Sequence, residues 1–248
     1  MSEERGADGQ WAIEATNLSR RYGRRWALAS VSLRIPSGAT LLLAGNNGSG
    51  KSTLLRALAT AIRIDRGEVF IEGMDIRRDR DAIRRKTVLL DHHAYTYEAL
   101  TAIQNLSVTA SILGIPHGRR ALMPVLAEAG LGDRADDEVA GFSAGMRKRL
   151  SIARLLLRLP RSGGGARPSV VLLDEPYNQL DPEGFRLVDQ LLERLKNDGA
   201  TVVMATHLVD RGAPLCDLGL LLEQGQVAWS GSAGDLPRHS GISQERLF

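Results

Sequence analysis

The sequence predicts an α/β fold, with a sheet of buried, mostly parallel strands covered by helices on both faces. Three observations predict it. Strand-like apolar runs alternate along the chain with segments of helical periodicity. The runs "LLLA" (41–44), "VVLLD" (170–174) and "VVMAT" (202–206) show no polar alternation, as expected of strands buried on both sides. At 248 residues the chain can also bury a large core, as one α/β domain or a core with a subdomain.

Taken in order, the expected strands are "ALASVSLRI" (27–35), "TLLLA" (40–44), "EVFIEG" (68–73), "TVLLD" (87–91), "SVVLLDE" (169–175), "TVVMAT" (201–206) and "LGLLLE" (218–223). One helix follows Lys51. No strand signal falls between about residues 94 and 159, where helices are expected from Thr101 to Leu113, Arg119 to Ala129 and Ser143 to Leu159. That stretch reads as a helical subdomain inserted into a doubly wound core. A further helix begins at Asp181-Pro182, an N-cap followed by a first-turn proline. Its apolar stripe is Phe185, Val188, Leu191, Leu192 and Leu195, and Gly199 is its C-terminal stop. "PRSGGGARPS" (160–169) reads as a flexible surface loop, and the tail "PRHSGISQERLF" carries no legible function. The chain thus divides into 1–93, 94–159 and 160–248.

Composition excludes several classes. A net charge of +3 and scattered arginines describe solvated faces, so no nucleic-acid partner is expected. The single cysteine, Cys216, excludes an intrachain disulfide framework and is expected to pack as a small apolar residue. "MSEERGADGQ" is polar and acidic, unlike a signal peptide. No run approaches the ~18 to 20 apolar residues of a membrane span. The expectation is a soluble chain whose membrane role, if any, comes through a partner.

The chemistry is carried by "LLLAGNNGSGKSTLL", where a buried strand runs through a glycine-rich turn into a helix. Gly45, Gly48 and Gly50 let the backbone aim N–H groups at β- and γ-phosphates, and Lys51 adds a point charge. Ser52 is the expected Mg²⁺ ligand, and Thr53 reaches towards the α-phosphate. Asp174 ends a second buried strand and is expected to hold Mg²⁺ directly or through water. Glu175 follows as general base or water-positioner, and His207, at a third strand end, as a γ-phosphate contact. A helix start at "FSAGM" (142–146) offers a second anion site.

Together these residues resemble the nucleotide-binding subunit of ABC transporters over about residues 12 to 232, with motifs in the family's order. The resemblance implies an α/β P-loop NTPase core, with a mixed, largely parallel sheet and flanking helices. It also implies an antiparallel β region and an inserted helical subdomain. Gly45, Asn46, Asn47, Gly48, Ser49, Gly50, Lys51, Ser52 and Thr53 match Walker A, and Val170 to Asp174 match Walker B. Tyr22 matches the aromatic that stacks on adenine, Glu175 the catalytic glutamate, Asp181 the D-loop aspartate and His207 the switch histidine. Ser143, Ala144, Gly145 and Met146 stand where the family carries its signature. The resemblance implies that two cassettes pack head to tail, each signature capping the ATP held by the other.

Three departures matter. Ala144 replaces the first signature glycine, and Met146 replaces the usual glutamine and its polar contact. By spacing, His93 in "DHHAYTYEALT" takes the place of the Q-loop glutamine. Imidazole could ligate Mg²⁺ or bond a water there, or the loop could serve only a partner. Arg147, Lys148 and Arg149 are expected mostly on a solvated face.

The function implied is the ATPase subunit of a transporter, with ATP and Mg²⁺ as cofactors. Its partners would be separate integral membrane subunits and a second ATP-binding subunit, identical or paralogous. It would sit in the cytoplasm, peripheral on the inner face of the cell membrane. "SAGMRKRLSIARLLL" resembles the signature helices of bacterial exporters, of haem and drug-resistance types, and "LLDHH…LTAIQNL" with "SILGI" the haem-exporter pattern. The alternative is a soluble ABC ATPase of iron–sulfur assembly. No sustained heptads indicate a DNA-repair type, and one cassette argues against a translation type. A small-molecule P-loop kinase leaves the signature, Glu175 and His207 unexplained.

Overall fold

The computed structural model describes residues 11–92, 95–159 and 168–236. His93, most of the glycine-rich loop and the C-terminal tail lie outside the described residues. Among the described residues the chain builds two sheets. One is four-stranded and antiparallel, in the order β2-β1-β4-β5. Its strands are β1 (Trp11–Tyr22), β2 (Arg25–Pro36), β4 (Arg66–Ile71) and β5 (Met74–Asp75). The other is six-stranded, in the order β10-β9-β3-β8-β7-β6. It comprises β3 (Thr40–Ala44), β6 (Thr87–Leu90), β7 (Val170–Asp174), β8 (Thr201–Ala205), β9 (Leu218–Glu223) and β10 (Gln226–Ser232). Strands β9, β3, β8, β7 and β6 are parallel, and β10 closes one edge antiparallel to β9.

The absence of alternation in the parallel strands has a direct cause. Leu42 and Ala44 of β3, Val171 and Leu173 of β7, and Val202 and Met204 of β8 pack into one core. Their neighbours Leu41, Leu43, Val170, Leu172 and Val203 pack into another. The first core lies under the helices α3 (Ala102–Ile112), α4 (Arg119–Glu128), α5 (Ala144–Leu156) and α6 (Pro182–Asn197). The second is closed by β1, β2 and α1 (Lys51–Leu58). Both faces are dry, so alternate residues are equally apolar.

Helix starts are fixed by side chains. Thr101 caps α3 in a reciprocal capping box with Gln104. Ser143 caps α5 by accepting from Met146 N, so the helix begins at Ala144, one residue later than expected. Asp181 caps α6 by accepting from Gly184 N at 2.8 Å. Several elements were not foreseen, among them the two-residue β5 and the one-turn helix at Val209–Gly212. The longer ones are β1, β10 and α2 (Arg80–Lys86), a charged turn with only Ile83 buried. Short pieces α7 (Val209–Gly212) and four 3₁₀ turns complete the described chain.

The Asp181 cap gives a stability prediction. Asp181→Ala should destabilise the fold by about 1 kcal/mol, a loss of roughly 2–4 °C in a thermal melt. The Gly184 N–H first, then the Arg149 guanidinium, hold the Asp181 carboxyl below its usual range. The stabilisation is therefore present above the unfolded carboxylate value of ~3.9 and is lost as pH falls through the lowered one. The gap between the two proteins should close in that acid window.

Candidate nucleotide site

The parallel strands β3, β8, β7 and β6 present their C-terminal ends on one edge, where open α/β sheets place their ligands. The turn after β3 is forced by glycine. Gly45 has φ 142° and its backbone lies so near Leu222 that a Cβ would sit 2.2 Å from the carbonyl oxygen. Gly50 has φ 110°, and a Cβ there would sit 2.5 Å from the Ala27 oxygen. No side chain larger than hydrogen fits either position, so the loop stays tight and leads into α1 without a side-chain cap. The first-turn N–H groups of α1 have no intrahelical acceptor, and no acidic residue occupies that turn. This is an anion cradle.

Lys51 is buried, and its Nζ donates to the Gly45 oxygen at 2.6 Å and the Asn46 oxygen at 3.2 Å. Burial lowers its pKa, while Glu175 and then Asp174 push it back up. Asp174 is 1% exposed, and among the described residues neither carboxylate oxygen has a hydrogen-bond partner. Burial first, then the charges of Asp91 and Glu175, raise its pKa; the nearby Ser52 hydroxyl and His92 oppose them. A buried carboxylate with two open oxygens beside a serine hydroxyl fits a hard divalent cation. Among the described residues no cluster of three His, Cys, Asp or Glu forms a closed metal site. Mg²⁺ needs only one or two protein oxygens with phosphate and water for the rest, so Ser52 and Asp174 suit it.

A cleft of about 490 Å³ lies at this edge, lined by Tyr22, Arg25, Lys51, Ser52, Asp174 and Glu175. Asn47, Gly48, Gly50 and Thr53 also line it, and Ser49 lies buried behind the turn. Tyr22 is half exposed, with the Arg20 guanidinium 4.9 Å from its ring centroid, which leaves one ring face for a planar base. His207 does not line the cleft directly. Its Nδ1 lies 2.9 Å from Glu175 Oε2, and its backbone N–H donates to the same oxygen at 3.3 Å. Glu175 has φ 47°, a left-handed conformation rare outside glycine and typical of functional positions.

The sequence did not foresee Arg25 or His92. Arg25 pairs with Tyr22 across the β1–β2 turn, and among the described residues of its loop His92 lines the cleft. The neighbouring His93 lies outside the described residues.

Ser143, Ala144, Gly145 and Met146 are not among the residues lining the cleft. Ala144 is exposed, and Gly145 packs so closely that a Cβ would sit 2.7 Å from the Gln179 oxygen. The expected solvated face behind them is corrected. Lys148 and Arg149 are 3% and 8% exposed. Lys148 Nζ donates to the Asp174 carbonyl at 3.3 Å, and burial lowers its pKa to about 8. Arg149 donates to Asp181 Oδ1 at 2.7 Å and to Glu183 Oε2 at 3.4 Å. Only Arg147 is partly open, donating to the Ala140 carbonyl. Both remaining cations turn inward because segment 174–183 supplies acceptors beneath α5.

The family model described as "ABC transporter" matches residues 28–178, a span that includes the glycine turn, the α5 start and the Asp174–Glu175 strand end. The chain belongs to the ABC transporter family. As an ABC ATP-binding subunit it binds ATP and is an ATPase. It is 31% identical to the daunorubicin/doxorubicin resistance ATP-binding protein DrrA of Streptomyces peucetius, over 95% of this chain and 70% of that protein. It is 34% identical to the methionine import ATP-binding protein MetN of Mesorhizobium japonicum, over 89% of this chain and 62% of that one. Among solved structures, it matches the dimeric post-hydrolysis ATP-binding cassette MJ0796, bound to ADP and Pi. The TM-score is 0.76 and the identity 26%, over 89% of this chain and 98% of that one. The ABC cassette fold, with mixed and antiparallel sheets, is thus the one expected from the sequence.

Proposed function

We propose that this ABC ATPase works as one half of a head-to-tail pair, each copy's Ser143–Met146 segment closing over the ATP in the other's cleft. The observation that carries this is the position of Ser143 and the α5 start: they offer phosphate donors yet lie outside the chain's own cleft. A second subunit, identical or paralogous, would bring them to the γ-phosphate. Tyr22 would stack the adenine, and the loop from Gly45 to Thr53 with Lys51 would hold the phosphates. Ser52 and Asp174 would hold Mg²⁺, which when bound neutralises phosphate charge.

In this reading Glu175 accepts the proton of the water that attacks the γ-phosphorus. Its carboxylate bonds Nδ1 of His207, which fixes the ring. The other ring nitrogen, Nε2, is then available for the γ-phosphate contact. Asp181, capping α6 and held by Arg149, would shape the interface between the copies.

We further propose that the pair drives an exporter of haem or a hydrophobic, drug-like cargo, from the inner face of the cell membrane. Similarity to the drug-resistance protein supports export; the methionine importer is similar to the same degree, so the direction rests on the resemblance of the signature helix to those of exporters. Among the described residues no helix is long and apolar enough to cross a membrane, so a separate integral membrane chain would form the path. A groove of about 250 Å³ at the free edge of β6 suits its docking segment. Arg154 and Arg158 line it, and among the described residues their acceptors are neutral: Thr109 and Tyr95 for the first, the Arg84 and Arg85 carbonyls for the second.

Pull-down of the endogenous chain from detergent extract should recover an integral membrane protein, and Arg154→Glu with Arg158→Glu should lose it. Recovery of soluble scaffold proteins alone would favour the iron–sulfur alternative.

A further inference from the structure

The buried Lys148 has no place in the site as drawn so far. It sits on α5, five residues past the helix cap, and is 3% exposed, and its Nζ hydrogen bond goes to a carbonyl rather than to a carboxylate. Burying a cation this way is unfavourable unless something is gained. Its hydrogen bond shows what. Nζ donates to the carbonyl of Asp174, the oxygen of the peptide that joins Asp174 to Glu175. The N–H of that same peptide donates to the Ala205 carbonyl of β8 at 2.8 Å. One peptide plane is therefore gripped at both ends, from α5 on one side and from the sheet on the other.

The residue after that peptide is the strained one. Glu175 holds φ 47°, and its side chain reaches His207 from there. A left-handed glutamate persists only where its surroundings over-determine it. Relaxing the preceding peptide would swing the carboxylate off its line. Asp91, Asp174 and Glu175 are the charges that act on the ammonium, and all three stand at the C-terminal ends of β6 and β7. They keep the cation at this corner. Arg149 and Gly145 extend the grip along the same segment, at Asp181 and at the Gln179 oxygen.

We propose that Lys148 is a positioning residue for hydrolysis, fixing the Asp174–Glu175 peptide so that the Glu175 carboxylate is aimed at the attacking water. This rests on the reading of Glu175 as general base. It also gives the α5 start a second consequence. The segment proposed to seat the partner copy's ATP is joined, through Lys148, to the peptide that aims this copy's own glutamate.

The test is a kinetic series on the full chain with MgATP. Lys148→Met and Lys148→Ala lack the donor, and Lys148→Gln keeps an N–H that can reach a carbonyl. Met and Ala should lower kcat by about 10- to 100-fold, the size expected when a catalytic group is displaced by about an ångström. KM and the affinity for a non-hydrolysable ATP analogue should stay within about two-fold, since K148 touches no nucleotide. Gln should recover most of the turnover. Combined with Glu175→Gln, Lys148→Met should cost nothing further, because the group it aims is gone.

A Lys148→Met enzyme with wild-type kcat overturns the proposal. So does an equal fall on top of Glu175→Gln, or a Gln variant as slow as Ala. If Glu175→Gln alone hydrolyses at the wild-type rate, the general-base reading fails first, and the inference falls with it. Slow Glu175→Gln beside fast Lys148→Met condemns the inference alone.

Discussion

Glu175→Gln is expected to hydrolyse ATP about 10²- to 10⁴-fold more slowly than the wild type while still binding it. The amide has the shape of the carboxylate and can occupy the same left-handed position, yet it cannot take a proton from water. The His207 contact loses its charge at the same time, because Glu175 Oε2 accepts both the ring and the backbone donor of that residue. ATP that binds but does not turn over should hold two copies together. Gel filtration with MgATP should show this variant at twice the monomer mass. Near wild-type turnover would remove Glu175 from the mechanism.

The second large effect comes from separating the two halves of the composite site. Lys51→Ala removes the charge that sits on the glycine turn. A charge-assisted contact of about 1.5–3 kcal/mol corresponds to roughly a 10- to 150-fold loss of nucleotide affinity. Ser143→Arg leaves the chain's own cleft intact, since Ser143 does not line it. It should bind ATP normally and yet fail to dimerise or turn over. Mixing the two variants can restore at most one of the two sites, so activity should return in part. Activity in pure Ser143→Arg equal to the wild type would place the phosphate donors elsewhere.

What the sequence made legible was what depends on local pattern. The parallel strands showed themselves because two cores bury alternate residues of β3, β7 and β8. The glycine turn and the α6 start showed themselves through residue types that only those backbones demand. β1 stayed hidden because Asn17, with φ 52°, breaks its alternation where the register against β2 and β4 shifts. β10 hid because half of its residues face solvent and it carries serine and glycine. α2 has too little apolar surface to show a stripe.

Lys148 and Arg149 were misjudged for a different reason. Their acceptors, Asp174 and Asp181, lie 26 and 32 residues further along the chain. Nothing local to "MRKRLSIARLL" distinguishes a cation pointing to water from one pointing to a carbonyl. The apolar neighbours Leu150, Ile152 and Ala153 were the available signal, because they leave α5 buried on more than one face. Likewise Arg25 and His92 enter the cleft through chain geometry rather than through a motif.

The central claim is that hydrolysis takes place in sites built by two copies. Steady-state ATPase activity measured across protein concentration, alongside sedimentation velocity on the same samples, tests it most directly. Specific activity should rise with concentration and follow the dimer fraction, vanishing where only monomer sediments. Full specific activity from a verified monomer, unchanged on dilution, would contradict the account.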